Sequence, residues 1–114
     1  MKPGEIYYAD NPEAGWHRII VVSREPLNRG RTIVAVPVTS KRFDVRSQLR
    51  NCVPFRAGQF GMTEDCVAQC ELVSIVPTQS IEIASGPIAT ISDDVVRSII
   101  HAIGYVIEAE CEPE

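Results

Sequence analysis

The stretch from Trp16 to Ser40 reads W-H-R-I-I-V-V-S, then R-E-P-L-N-R-G-R, then T-I-V-A-V-P-V-T-S. Its two β-branched runs, Ile19 to Val22 and Thr32 to Val38, are too continuous in apolar residues for strands with a wet face. They are also too short for ordinary helices. Each run meets polar side chains at one end: His17 and Arg18 precede the first, and Thr39 and Ser40 follow the second. If the runs pair antiparallel, a cation, an imidazole and two hydroxyls share one end of a rigid floor. That is a place to look for chemistry on a phosphate.

The surroundings suit a small, soluble globular domain. The chain has 114 residues, 45% of them hydrophobic, enough for one core and too apolar for disorder. No apolar run reaches membrane-spanning length and no secretory signal pattern opens the chain, so a cytoplasmic protein is expected. The formal charge of −4 is uneven. Met1 to Ala57 carries ten Lys/Arg against five Asp/Glu, whereas Gly58 to Glu114 carries one against ten. This argues against indiscriminate nucleic-acid binding but permits a local anion-binding face. Cys52, Cys66, Cys70 and Cys111 form no C-x-x-C, and only His17 and His101 could join them around a metal. Buried free thiols, with Cys66 and Cys70 on one strand face, are the expected reading, and no metal site is expected.

Along the chain, Ile6 to Ala9 is a strand, Asp10 to Gly15 a loop, and Trp16 to Ser23 and Thr32 to Val38 the next two strands. Pro37 inside the third implies an edge, a bulge or a bend. Lys41 to Arg50 reads as a long loop or a partly ordered arm, Cys52 to Phe55 as a short strand, and Gly58 to Met62 as a turn. Asp65 to Val76 is largely extended, and Ile81 and Ile83 offer a further small strand or turn. Ser92 is an N-cap candidate, followed by Asp93 and Asp94 in the positive first turn. Val96, Ile99, Ile100, Ile103, Val106 and Ile107 recur at helical spacing, which predicts one amphipathic helix over Asp93 to Glu108. Residues 1–114 thus read as a single, mainly β domain: a small bent barrel with a C-terminal helix.

His17 and Arg18 are candidates for phosphate chemistry, because a guanidinium presents fixed donors to phosphate oxygens and an imidazole moves protons near neutrality. A solvated strand end is the plainer reading of the same pair. Thr39 and Ser40 could hold phosphate oxygens or cap a turn. Lys41, Arg42, Arg46, Arg50 and Arg56, with Phe43 among them, could track a single-stranded backbone or be solvated. Glu71 lies in a run that should be buried, so it should be paired or part of a site. No P-loop, dinucleotide glycine pattern or nucleophile elbow is present.

Several segments together resemble the MazF/PemK toxins of type II toxin–antitoxin systems. They are K-P-G-E-I-Y-Y-A-D at Lys2 to Asp10, H-R-I-I-V-V-S with Asn28 following, and V-P-V-T-S at Val36 to Ser40. F-G-M-T-E-D-C-V-A-Q-C-E at Phe60 to Glu71 and G-P-I-A-T-I-S-D-D before the helix complete the order. The resemblance implies an SH3-like barrel, a homodimer, and a metal- and cofactor-independent endoribonuclease cutting single-stranded RNA, neutralised by a cognate antitoxin. It implies 2′-hydroxyl attack that leaves a cyclic phosphate. It assigns catalysis to an arginine before the second strand and to Thr39. Counted back from Ser23, the arginine position holds His17; a one-residue shift gives it to Arg18. Ser40, Lys41, Arg42, Arg46 and Glu71 are the expected substrate contacts. The family's E-Q pair is Glu71-Leu72 here, and the loop before Trp16 is shorter than usual. The alternative is an impaired or CcdB-like protein acting through protein contacts.

Overall fold

The computed structural model describes residues 1–13 and 15–108. Among these residues, seven strands and two α-helices follow in order: β1 Glu5–Asn11, β2 Gly15–Val21, β3 Thr32–Thr39, α1 Phe43–Arg46, β4 Cys52–Phe55, β5 Cys66–Gln69, β6 Ser74–Pro77, β7 Ala89–Thr90 and α2 Asp93–Val106. The architecture is mainly β: a strongly curled antiparallel sheet, a half-barrel, with α2 as its C-terminal helix. Along the sheet the order is β4-β5-β3-β2-β1-β7, and β6 pairs separately with β3.

The two apolar runs pair antiparallel as their composition requires, with Ile19 opposite Pro37 and Val21 opposite Ala35. They are apolar on both sides because both faces of the sheet are covered. Ile6, Ile20 and Val36 join Phe55, Met62, Ala68, Ile99 and Ala102 in the core beneath α2. Their alternates Tyr7, Ala9, Ile19, Val21, Ile33 and Ala35 form a second cluster with Ile81. Period-two alternation thus sends even and odd residues of the same strands into different cores.

β3 is central. Its first half, Thr32 to Ala35, pairs with β6, and Val38 and Thr39 pair with β5. Pro37 stands where the strand passes from one partner to the other. It therefore marks a bend, not an edge, and its missing N–H costs no ladder bond on that side. β2 ends earlier than expected, at Val21, because Val22 N–H and Ser23 N–H both donate to Val34 O, at 2.9 and 3.3 Å. Two residues opposing one is a bulge.

Several expectations change. Asp10 to Gly15 is not all loop, because β1 and β2 keep pairing out to Asn11 opposite Gly15. Cys66 and Cys70 do not share a strand: β5 stops at Gln69 and Cys70 opens a 3-10 turn, although both thiols are buried and free, like Cys52. Cys111 and the acidic tail lie outside the described residues. Lys41 to Arg50 is neither loop nor loose arm throughout, since it contains the single turn of α1. Ile81 pairs with Ala9, and β7 adds to β1 where the sequence carried no strand signal. Ser92 is the N-cap of α2, but its side chain makes no capping hydrogen bond, and the helix ends at Val106. No helix among the described residues is long and apolar enough to cross a membrane.

Candidate active site

β2 enters the sheet at the end where β3 leaves it, and this brings the predicted polar groups to one end of the sheet. Arg18 is opposite Tyr8 on β1, and its guanidinium carbon lies 5.1 Å from the centre of that ring. Its Nη2 donates to Gly61 O at 3.2 Å, while its Nε–H is buried with no acceptor. The arginine is thus fixed by stacking and by one carbonyl, and it keeps an unsatisfied donor. Gly61 lies in the turn Gln59–Gly61 with a φ of +74°, and the left-handed backbone there presents its carbonyl to Arg18.

His17 is opposite Ala9, on the alternate face. Its Nδ1 lies 3.1 Å from Gly15 O. A carbonyl only accepts, so Nδ1 carries the hydrogen and Nε2 is left for other partners.

Two cavities meet at His17. One, of about 140 Å³, is lined by His17, Arg18, Ser40, Met62, Thr63 and Glu64, with Val38 and Cys66. The other, of about 430 Å³, is a groove across the second face that includes His17, Ile19, Pro37, Leu72 and Ile75. Electrostatics at the smaller cavity are mixed. Burial pushes the Cys66 thiol up; Arg18 beside it acts in the opposite direction, and Asp65 and Glu64 add to the rise.

Of the residues expected from sequence, His17, Arg18 and Ser40 share the smaller cavity. Thr39 lines neither cavity; alternation along β3 puts it on the face of Pro37 and Ala35, which is also the face of His17. Its Oγ1 accepts from Lys41 N–H at 3.2 Å, forming the turn that launches the basic segment. Lys41 and Arg42 are exposed there, and Arg46 folds back to donate to Lys41 O at 3.2 Å. Phe43 is not an open stacking platform on both sides, because Arg56 lies 5.1 Å from its ring centre. Arg56 in turn pairs with Asp65 at 2.9 Å.

Glu71 departs from expectation. It is exposed, because the chain leaves β5 in a 3-10 turn that rotates it out of the core. Its partners are amides, Asn51 Nδ2 at 2.8 Å and Gln69 Nε2 at 3.3 Å, in place of a cation. It does not line the smaller cavity. Sequence reasoning missed Tyr8, Thr63 and Glu64 as neighbours of Arg18. Only the F-G-M-T-E-D segment pointed to that region, and nothing local in it shows that a turn will bring it beside β2. Among the described residues, no group of three or more His, Cys, Asp or Glu side chains is placed to hold a metal ion.

Comparison with known proteins agrees with this architecture. Among curated proteins, none matches the chain by sequence. The Mycobacterium tuberculosis toxin MazF-mt6 superposes with a TM-score of 0.76 at 19% identity, over 91% of this chain and 96% of that one. An endoribonuclease from a mycobacterial species, in complex with its cognate antitoxin, gives 0.76 at 15% identity over 95% of each chain. A MazE–MazF structure from Deinococcus radiodurans gives 0.72 at 18% identity over 94% of each. The family model of the PemK-like, MazF-like toxins of type II toxin–antitoxin systems matches residues 2–107, and the chain belongs to that family.

Proposed function

We propose that this toxin is an endoribonuclease that cuts single-stranded RNA without a metal or cofactor, by attack of a ribose 2′-hydroxyl on the adjacent phosphate. The observation that carries the reading is the fixed Arg18, with its unpaired buried Nε–H, beside His17 and Ser40 in one cavity. The reaction forms a bond from the 2′-oxygen to phosphorus and breaks the bond to the 5′-oxygen. It leaves a cyclic phosphate and a free 5′-hydroxyl. His17 Nε2 takes the 2′-hydroxyl proton or returns one to the leaving oxygen. Arg18 stabilises the charge that builds on the phosphorane and Ser40 holds its oxygens, while Thr39 acts from the face it shares with His17. Lys41, Arg42 and Arg46 attract the flanking backbone.

The same reading places the protein in the cytoplasm, where its RNA is, as one domain that works as a homodimer. Its partner is a cognate antitoxin, consistent with the complexes formed by the structural neighbours. The test is incubation with a long single-stranded RNA in EDTA. We expect cleavage with cyclic phosphate ends. Arg18→Ala should lower the rate about 100- to 1,000-fold, with comparable losses for His17→Ala and Thr39→Ala. RNA that stays intact at high protein excess would sink the reading and favour action through protein contacts.

A further inference from the structure

The cavity that contains Arg18 also contains groups that the phosphate chemistry does not use. Thr63 and Glu64 line it from the segment that leads into β5. The next residue, Asp65, is fully engaged: it accepts from Arg56 Nη1 and from Ala57 N–H, each at 2.9 Å, and these contacts hold its carboxyl below the usual range. The segment is therefore tied down immediately beside Glu64. Glu64 itself is exposed and makes no hydrogen bond or ion pair among the described residues. A free carboxylate in the same cavity as a phosphate-binding arginine weakens the binding of an anion. It becomes favourable when the ligand in that cavity also brings N–H donors.

Resting on the RNA reading above, we propose that Glu64 reads the base beside the scissile phosphate and selects guanine. Guanine's Watson–Crick edge presents two adjacent donors, N1–H and the N2 amine, which match the two oxygens of a carboxylate. The Thr63 hydroxyl can donate to O6 on the same edge. Adenine and cytosine place an amine beside an unprotonated ring nitrogen, so one carboxylate oxygen meets a lone pair. Uracil offers a single N–H between two carbonyls. Arg18 stays with the phosphate.

The experiment measures binding of fluorescent 2′-O-methyl oligouridine strands, which cannot be cut, carrying one central guanosine, inosine, adenosine, cytidine or uridine. The guanosine strand should bind about tenfold tighter than the uridine strand, the discrimination expected of one good bidentate contact. Inosine lacks the N2 amine and should lose most of that gain. Glu64→Ala should erase the preference. Equal binding of all strands, or a preference that survives Glu64→Ala, overturns the proposal. Preferential binding without cleavage of ordinary RNA retains it and overturns the nuclease reading. Cleavage of RNA with no guanosine preference does the reverse, and no binding to any strand with ordinary RNA left intact overturns both.

Discussion

At the scale of single residues, Asn28 is held by a network of hydrogen bonds at the end of β2. Asn28 is the only buried polar residue of the core among the described residues. Its Nδ2 donates to Ser23 O at 2.8 Å and to Met1 O at 3.0 Å, and its Oδ1 accepts from Ser23 Oγ. Ser23 Oγ in turn accepts Val34 N–H at 2.9 Å. This network fills the space left by the bulge at the end of β2 and ties the N-terminus to it. Asn28→Ala should cost about 2–3 kcal/mol, because it removes several bonds and leaves buried partners unsatisfied. Urea unfolding should show a lower midpoint at unchanged slope. The sequence marked Asn28 only by its place after the second strand. Its burial follows from a bulge that no local pattern announces.

At the scale of elements, the turn Gln59–Gly61 matters out of proportion to its length, since it carries the carbonyl that holds Arg18. A Cβ added at Gly61 would stand 3.0 Å from Ile88 Cγ2, at a φ of +74°; at Gly58, with a φ of +94°, it would meet nothing within 4 Å. Both substitutions pay the left-handed backbone penalty, about 1–2 kcal/mol. Only Gly61→Ala should also displace the carbonyl. Gly61→Ala is therefore expected to lose RNA cleavage beyond its stability loss, whereas Gly58→Ala at matched folded fraction keeps it. Equal activities would show that the Gly61 carbonyl is not what positions Arg18. The glycine-bounded turn was legible in the sequence. Its contact with an arginine 43 positions away was not, because turn chemistry is local and that contact is tertiary.

At the scale of the whole molecule, the groove of about 430 Å³ carries Leu72 and Ile75 at 50% and 69% exposure on its rim. Trp16 stands 61% exposed at the start of β2. Apolar residues grouped in this way on a small domain mark a contact surface. The proposed homodimer would cover them and would place two copies of the His17 end near each other by symmetry. Sedimentation at micromolar concentration should give twice the mass of one chain, and Ile75→Glu should shift it to the monomer. A monomeric wild-type protein would contradict this arrangement.

Composition and periodicity alone determined the mainly β character, the two central strands and the C-terminal amphipathic helix, and left Pro37 as an edge, a bulge or a bend. Each of these is set by side-chain patterns over a few consecutive residues. The order of family segments added the kind of toxin. The tertiary structure decided what depends on distant pairing: that β3 bends at Pro37 as it changes partner, that Glu71 turns outward, and which face of the sheet each of His17 and Arg18 takes. That the two neighbours part follows from the two-residue period of a strand; which face each takes follows from pairing with Ala9 and Tyr8 on β1. Arg18 therefore goes to the cavity with Ser40 and Glu64, and His17 stands at the junction of both cavities, on the face of Thr39.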